Sequence, residues 1–173
     1  LMRKRSGLLG PVVNSTPVID RTHGIVYVAS GEGMLHAFND LTGQEEWAFV
    51  PYDASLNIGK TVERGYVFQT KLDATPVLAK SSASSNILIG GMGAAGRGYY
   101  ALDVTGGAKG LSQGDLVSRV KWTFPKASDA ANRALMGYTS GTPVVVRTPA
   151  NKYVALVTSG YDNGQSIGDG KGR

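Results

Sequence analysis

The 173-residue chain contains no cysteine. That removes a disulfide framework, a thiol nucleophile and any cysteine-ligated zinc or iron–sulfur centre, while leaving the compartment open. No apolar run approaches the roughly 18 residues that mark a membrane-spanning helix. Behind the basic start Leu1-Met2-Arg3-Lys4-Arg5, the stretch Gly7-Leu8-Leu9-Gly10-Pro11 is too short for a signal-peptide core. Histidine is scarce: His23 and His36 lie in separate contexts with no third ligand beside them, so they form no metal or general-base set. His23 reads as a turn residue and His36 as a half-buried packing or hydrogen-bonding residue on a strand. Charge is sparse too, at 18% of residues, and Arg3, Lys4 and Arg5 carry three of the excess positive charges behind the net +5. The remainder is close to balance and shows no basic face on a recognisable module, so nucleic acid is not an expected partner. The chain also starts without an initiator methionine, as expected for an internal piece of something longer.

Glycine is abundant, with 24 residues and no collagen period. Many glycines mean many tight turns and favour short strands over long helices. The segments Thr16-Pro17-Val18-Ile19, Ile25-Val26-Tyr27-Val28-Ala29, Met34-Leu35-His36-Ala37-Phe38 and Glu46-Trp47-Ala48-Phe49-Val50 are rich in β-branched and aromatic residues. His23-Gly24, Gly31-Glu32-Gly33 and Asn39-Asp40-Leu41-Thr42-Gly43 between them supply hairpin connections. Four strands follow one another as a meander.

The pattern then recurs. Asp73-Ala74-Thr75-Pro76-Val77 repeats Asn14-Ser15-Thr16-Pro17-Val18, and Ser140-Gly141-Thr142-Pro143-Val144 opens a third copy. Tyr100-Ala101-Leu102-Asp103 echoes His36-Ala37-Phe38-Asn39, and Val120-Lys121-Trp122-Thr123-Phe124 echoes the tryptophan strand of the first copy. The units run over about 11–51, 66–125 and 138–173, the last incomplete. Such serial four-strand units predict an all-β fold: a β-propeller fragment of about two and a half four-stranded antiparallel blades with quinoprotein-like repeats. Residues 52–68 and 107–117 interrupt the repeat as insertions, expected to be dispensable for packing and available for binding. Residues 53–57 and 128–135 are short helical turns.

One string looks like chemistry. In "NILIGGMGAAGRGYYALD", Gly91, Gly93 and Gly96 spell the dinucleotide fingerprint, which needs a helix after its last glycine to hold the pyrophosphate. The residues after Gly96 read as a strand, so these glycines are assigned to a blade turn. The structural turn glycines expected from the repeat are Gly31, Gly33, Gly91, Gly93, Gly96 and Gly160. Ser30 misses the nucleophile-elbow pattern, Glu45 and Glu46 face opposite sides of a strand, and no nucleophile–base–acid set is indicated. No catalytic or cofactor-binding residue is expected. The metal candidates are Asp162, Asn163 and Asp169, whose spacing departs from that of a hard-cation loop and which lack its glutamate.

The blocks "LLGPVVNSTPV", "IVYVASGEGMLHAFNDLTGQEEWAFVP", "ILIGGMGAAGRGYYALDVT", "MGYTSGTPVV" and "VALVTSGYDNG" resemble successive parts of the C-terminal propeller of PilY-type type IV pilus biogenesis proteins. That family includes the neisserial PilC pilus-tip adhesins. The resemblance implies an exported, non-enzymatic protein of the periplasm, outer membrane or pilus tip of a Gram-negative bacterium. It implies a role in pilus assembly, in counteracting retraction and in adhesion, with pilins, minor pilins or a host-cell surface as partners. Some members bind Ca2+ through an aspartate-rich loop; the chain contains no such loop, which is expected beyond Arg173. Two alternatives share the repeat: a pyrroloquinoline-quinone dehydrogenase, which needs a calcium-ligating acid set not found here, and an outer-membrane assembly scaffold.

Overall fold

The structure is a computed structural model that describes residues 9–162. Strands β1 (Val18–Asp20), β2 (Ile25–Ser30), β3 (Met34–Asn39) and β4 (Glu45–Phe49) form one antiparallel sheet in sequence order. Strands β5 (Val77–Lys80), β6 (Asn86–Gly91), β7 (Tyr99–Asp103) and β8 (Val120–Phe124) form a second of the same order. Strands β9 (Val144–Arg147) and β10 (Tyr153–Leu156) pair as a third, two-stranded sheet. The repeat extends to irregularities: the third strand of each complete sheet carries a register shift, after Ala37 in β3 and after Ala101 in β7.

The first strands lie side by side, β1 against β5 and β5 against β9. Pro17, Pro76 and Pro143 each sit one residue ahead of these strands, so their missing N–H removes no ladder bond. In the same lead-in the backbone N–H of Thr16 donates to Thr75 Oγ1 at 2.8 Å, joining equivalent positions of two repeats.

Between the first two sheets lies the main core. Ile25, Tyr27, Ala29, Leu35, Ala37 and Trp47 of the first sheet meet Leu88, Tyr100 and Leu102 of the second. The other face of the second sheet brings Ile87, Ile89 and Ala101 against Val145 and Ala155 of the third. Successive residues of one strand thus serve two interfaces, as the period of two dictates. The outward side chains of the third sheet, Val144, Val146, Val154 and Leu156, are exposed.

Among the described residues three short α-helices lie outside the sheets. Helices α1 (Tyr52–Ile58) and α3 (Ala130–Leu135) fall where the helical turns were expected. Helix α2 (Gln113–Ser118) was not expected and corrects the reading of residues 107–117 as dispensable for packing. Ser112 and Asp115 close a capping box at its start, Ala108 is buried, and Leu111 and Leu116 pack on the main core. Gly107 lies where a Cβ would come 2.8 Å from His23 Cβ, so the insertion also leans on the first sheet. Two apolar anchors and a local cap outweighed the glycine-rich composition that suggested a free loop.

Candidate functional site on the connector end

Because the strands alternate in direction, connections collect at two ends of the sheets. The turns at 31–33 and 92–98 and the long connections 50–76 and 125–143 share one end. The turns at 21–24, 40–44, 81–85 and 148–152 and the insertion 104–119 share the other. The two insertions singled out from sequence, 52–68 and 107–117, therefore lie at opposite ends and cannot form one surface.

The glycine string forms the turn between β6 and β7, with strand geometry resuming at Tyr99 and no helix to hold a pyrophosphate. Its glycines serve different needs. Gly93 has φ +70°, and a Cβ there would overlap Asp73 Oδ1. Gly91 ends β6 without positive φ, and a Cβ on it would stand 2.5 Å from the Thr139 carbonyl oxygen. Gly96 also lacks positive φ and is pressed by Met92. Of the remaining expected turn glycines, Gly33 and Gly160 have φ of +103° and +82°, whereas Gly31 has no positive φ and is crowded by Phe68 and Pro11. Half of the six are glycine for close approach alone.

What these approaches make room for is a polar clamp that sequence reasoning missed. Asp73, buried, accepts from the Ala94 N–H at 3.1 Å and from Asn14 Nδ2 at 2.7 Å, tying the glycine turn to the lead-in of the first sheet. Thr139 Oγ1, fully buried, accepts from the Met92 N–H at 2.9 Å and donates to the Gly98 carbonyl at 2.8 Å, tying the turn to the lead-in of the third. A signal existed: Asn14 and Asp73 hold the same position three residues before the repeat's proline.

Around the clamp, charged groups brace the long connections. Asp53 of α1 pairs with Arg133 of α3 at 2.6 Å, and the Arg133 guanidinium lies 5.6 Å from the Tyr52 ring centroid. Arg97 pairs with Asp162 at 3.2 Å and stacks 4.9 Å from the Tyr138 ring centroid. Buried Lys71 donates to the Tyr66 hydroxyl at 2.7 Å. Burial raises the Tyr66 hydroxyl pKa, but the Gln69 N–H and the Lys71 ammonium outweigh it and lower it. Beyond this frame Tyr52, Leu56, Val67 and Phe68 are exposed. Aromatic and aliphatic groups beside arginines suit protein recognition.

A second arrangement was not anticipated. His36 is buried, with Nδ1 2.5 Å from Glu45 Oε1 and Nε2 3.0 Å from Ser30 Oγ. The order resembles a nucleophile–base–acid series, which the sequence reading did not indicate because the three residues lie on successive strands. Ser30 is fully buried, so its oxygen is closed to solvent and to a substrate in this structure. The series acts as a cross-strand hydrogen-bond link through β2, β3 and β4. His23 sits in its turn with Nδ1 2.8 Å from Asp20.

Of the metal candidates, Asp162 is engaged by Arg97, and Asn163 and Asp169 lie outside the described residues. Among the described residues no group of three or more His, Asp or Glu could hold a metal ion. No helix of the described residues is long and apolar enough to cross a membrane.

Repeated four-stranded antiparallel sheets, packed face to face with their first strands side by side, define the chain as a segment of a β-propeller. It belongs to the PilY1 β-propeller domain family, whose sequence profile matches residues 13–173. It is 31% identical over 192 residues to the type IV pilus biogenesis factor PilY1 of Pseudomonas aeruginosa strain UCBPP-PA14, covering 92% of this chain and 16% of that protein. A PilY1 homologue of Xylella fastidiosa is 31% identical over 147 residues, covering 82% of this chain and 9% of the relative. The crystal structure of the Pseudomonas aeruginosa PilY1 C-terminal domain superposes with a TM-score of 0.57 at 29% identity, covering 80% of this chain and 25% of that one. The chain thus spans well under a fifth of the curated relatives' length.

Proposed function

We propose that this chain is a non-enzymatic binding segment of a type IV pilus biogenesis factor in a Gram-negative bacterium. In this reading it is exported to the periplasm, outer membrane or pilus tip, supports pilus assembly, antagonises retraction and contributes to surface adhesion. Its partners are pilins or minor pilins, and a host-cell surface for adhesion. The observation that carries the reading is membership of the PilY1 propeller family along nearly the whole chain. The connector end supplies the contact surface: exposed Leu56 and Val67 stand on a frame held by the Asp53–Arg133 pair and the Asp73 clamp.

Replacing Leu56 and Val67 together with aspartate in the full chain tests this. Both side chains are largely exposed, so folding and export levels should stay normal while surface pili decrease. In a strain that cannot retract its pili, the number should recover, separating antagonism of retraction from assembly. Adherence counted per pilus then reads the adhesive contribution. Normal piliation and adherence by a normally exported double variant would remove the connector end from the account.

A further inference from the structure

We infer that the cleft between the second and third sheets, at the end opposite the connectors, binds an anionic saccharide: a hydroxyl-rich ring carrying sulfate, phosphate or carboxylate. The cleft measures about 490 Å³ and lies between the β5–β6 turn and the β9–β10 turn. That is within the roughly 300–1,000 Å³ range of small-molecule sites. Its lining includes Ser81, Ser82, Arg147, Asn151, Lys152 and Tyr153.

Charge sets the first half of the ligand's chemistry. The sequence has no aspartate or glutamate from 74 to 102 or from 139 to 161, so both hairpins are free of acid. Lys80, Arg147 and Lys152 are exposed at this end of them. Arg147 Nε donates to Asn151 Oδ1 at 2.5 Å, which orients the guanidinium and leaves its two terminal nitrogens without a protein partner among the described residues. Lys152 Nζ likewise forms no ion pair there. Two carboxylates at this end of the first and second sheets are already engaged, Asp103 by Lys121 and Thr105 and Asp20 by His23. A planar fork beside an ammonium, with no internal counter-ion, suits an oxyanion.

The rest of the lining sets the second half. Two serine hydroxyls and an asparagine amide offer donors and acceptors to ring hydroxyls, and Tyr153, half-buried, offers one aromatic face. A single aromatic is not the row of stacking platforms that a single-stranded nucleic acid groove uses. The inference stands apart from the pilus reading, because it concerns the opposite end of the sheets and a direct binding measurement.

The test is calorimetric titration of the full chain with a heparin-type sulfated disaccharide, its desulfated counterpart and an oligothymidylate of equal charge. The sulfated sugar should bind, with affinity falling as salt rises. Arg147→Gln and Lys152→Gln should each weaken it by about tenfold to a hundredfold, while Lys60→Gln at the opposite end should leave it unchanged. Tyr153→Ala should lower affinity for the disaccharide more than for inorganic sulfate. Equal binding of the desulfated sugar, equal or tighter binding of the oligonucleotide, or full affinity in both charge variants would overturn the proposal. All the substituted positions are exposed or half-buried, and the unfolding temperature of each variant verifies that it folds.

Discussion

Replacing Gly93 with alanine tests whether the glycine string is a clamp socket. The substitution places an L side chain at φ +70°, which costs roughly 1–2 kcal/mol wherever it occurs. At Gly93 the new Cβ also overlaps Asp73 Oδ1, so the carboxylate must leave the Ala94 N–H it now accepts from at 3.1 Å. Asp73 is buried, and losing one hydrogen bond to a buried charged group costs about 1.5–3 kcal/mol. The total is about 2.5–5 kcal/mol, a large share of the roughly 5–15 kcal/mol that holds a typical domain together. Gly43→Ala is the matched control: its φ is also +70°, but nothing lies within 4 Å of the added Cβ, so only the backbone cost remains. Urea unfolding of the full chain compares the two, and the Gly93 variant should lose about 1.5–3 kcal/mol more. Adding Asp73→Ala removes the obstructing oxygen, so the double variant should lose less than the two single losses combined. Equal losses at Gly93 and Gly43, or strict additivity with Asp73→Ala, would refute the clamp.

Three other outcomes follow from the geometry. Burial pushes the Asp103 carboxyl up, but the Thr105 hydrogen bonds and the Lys121 ammonium pull it further down, to about 2 from an ordinary 3.8. A folded-state value below the unfolded one stabilises above pH 4 and fades as pH falls towards 2, so Asp103→Asn should flatten the unfolding-temperature profile in that window and nowhere above it. Leu116→Ala should destabilise by about 2 kcal/mol by thermal unfolding, because its side chain packs on the main core; a neutral result would restore the insertion to free-loop status. Glu45→Ala should destabilise the fold by about 1–3 kcal/mol in urea unfolding, because it leaves buried His36 without the partner now 2.5 Å from Nδ1; unchanged stability would show that the link through β2, β3 and β4 carries no weight.

The strands were legible because each complete repeat is rich in β-branched and aromatic residues and is punctuated by glycine or asparagine, as at Gly24 and Gly33. The Thr-Pro-Val signature marked the first strand of every unit, and the two glycines and two tyrosines soon after Gly96 left no helix to hold a nucleotide. Helix α2 was obscured by Gly107, Gly110 and Gly114, although its capping pair Ser112–Asp115 was in plain sight. The buried Ser30–His36–Glu45 link escaped because cross-strand neighbours are set by register, which spacing along the chain does not reveal. Thr139 escaped for a similar reason: its role depends on a turn 41 to 47 residues earlier. The separation of the two insertions onto opposite ends followed from strand direction alone and could have been read from the meander.

Strand β6 gives consecutive side chains to different neighbours, Leu88 to the first sheet and Ile87 and Ile89 to the third. A slip of one residue against β5 or β7 would therefore spoil two interfaces in a single error, because every side chain would change sides. In a sheet with one wet face the same slip would damage only one. A central blade of this kind proofreads its own alignment twice, and its tolerance for insertion should be lower than that of an end blade with one partner. Length variation in such repeats is accordingly expected in connections, as in the 52–68 segment, and not within the strands themselves.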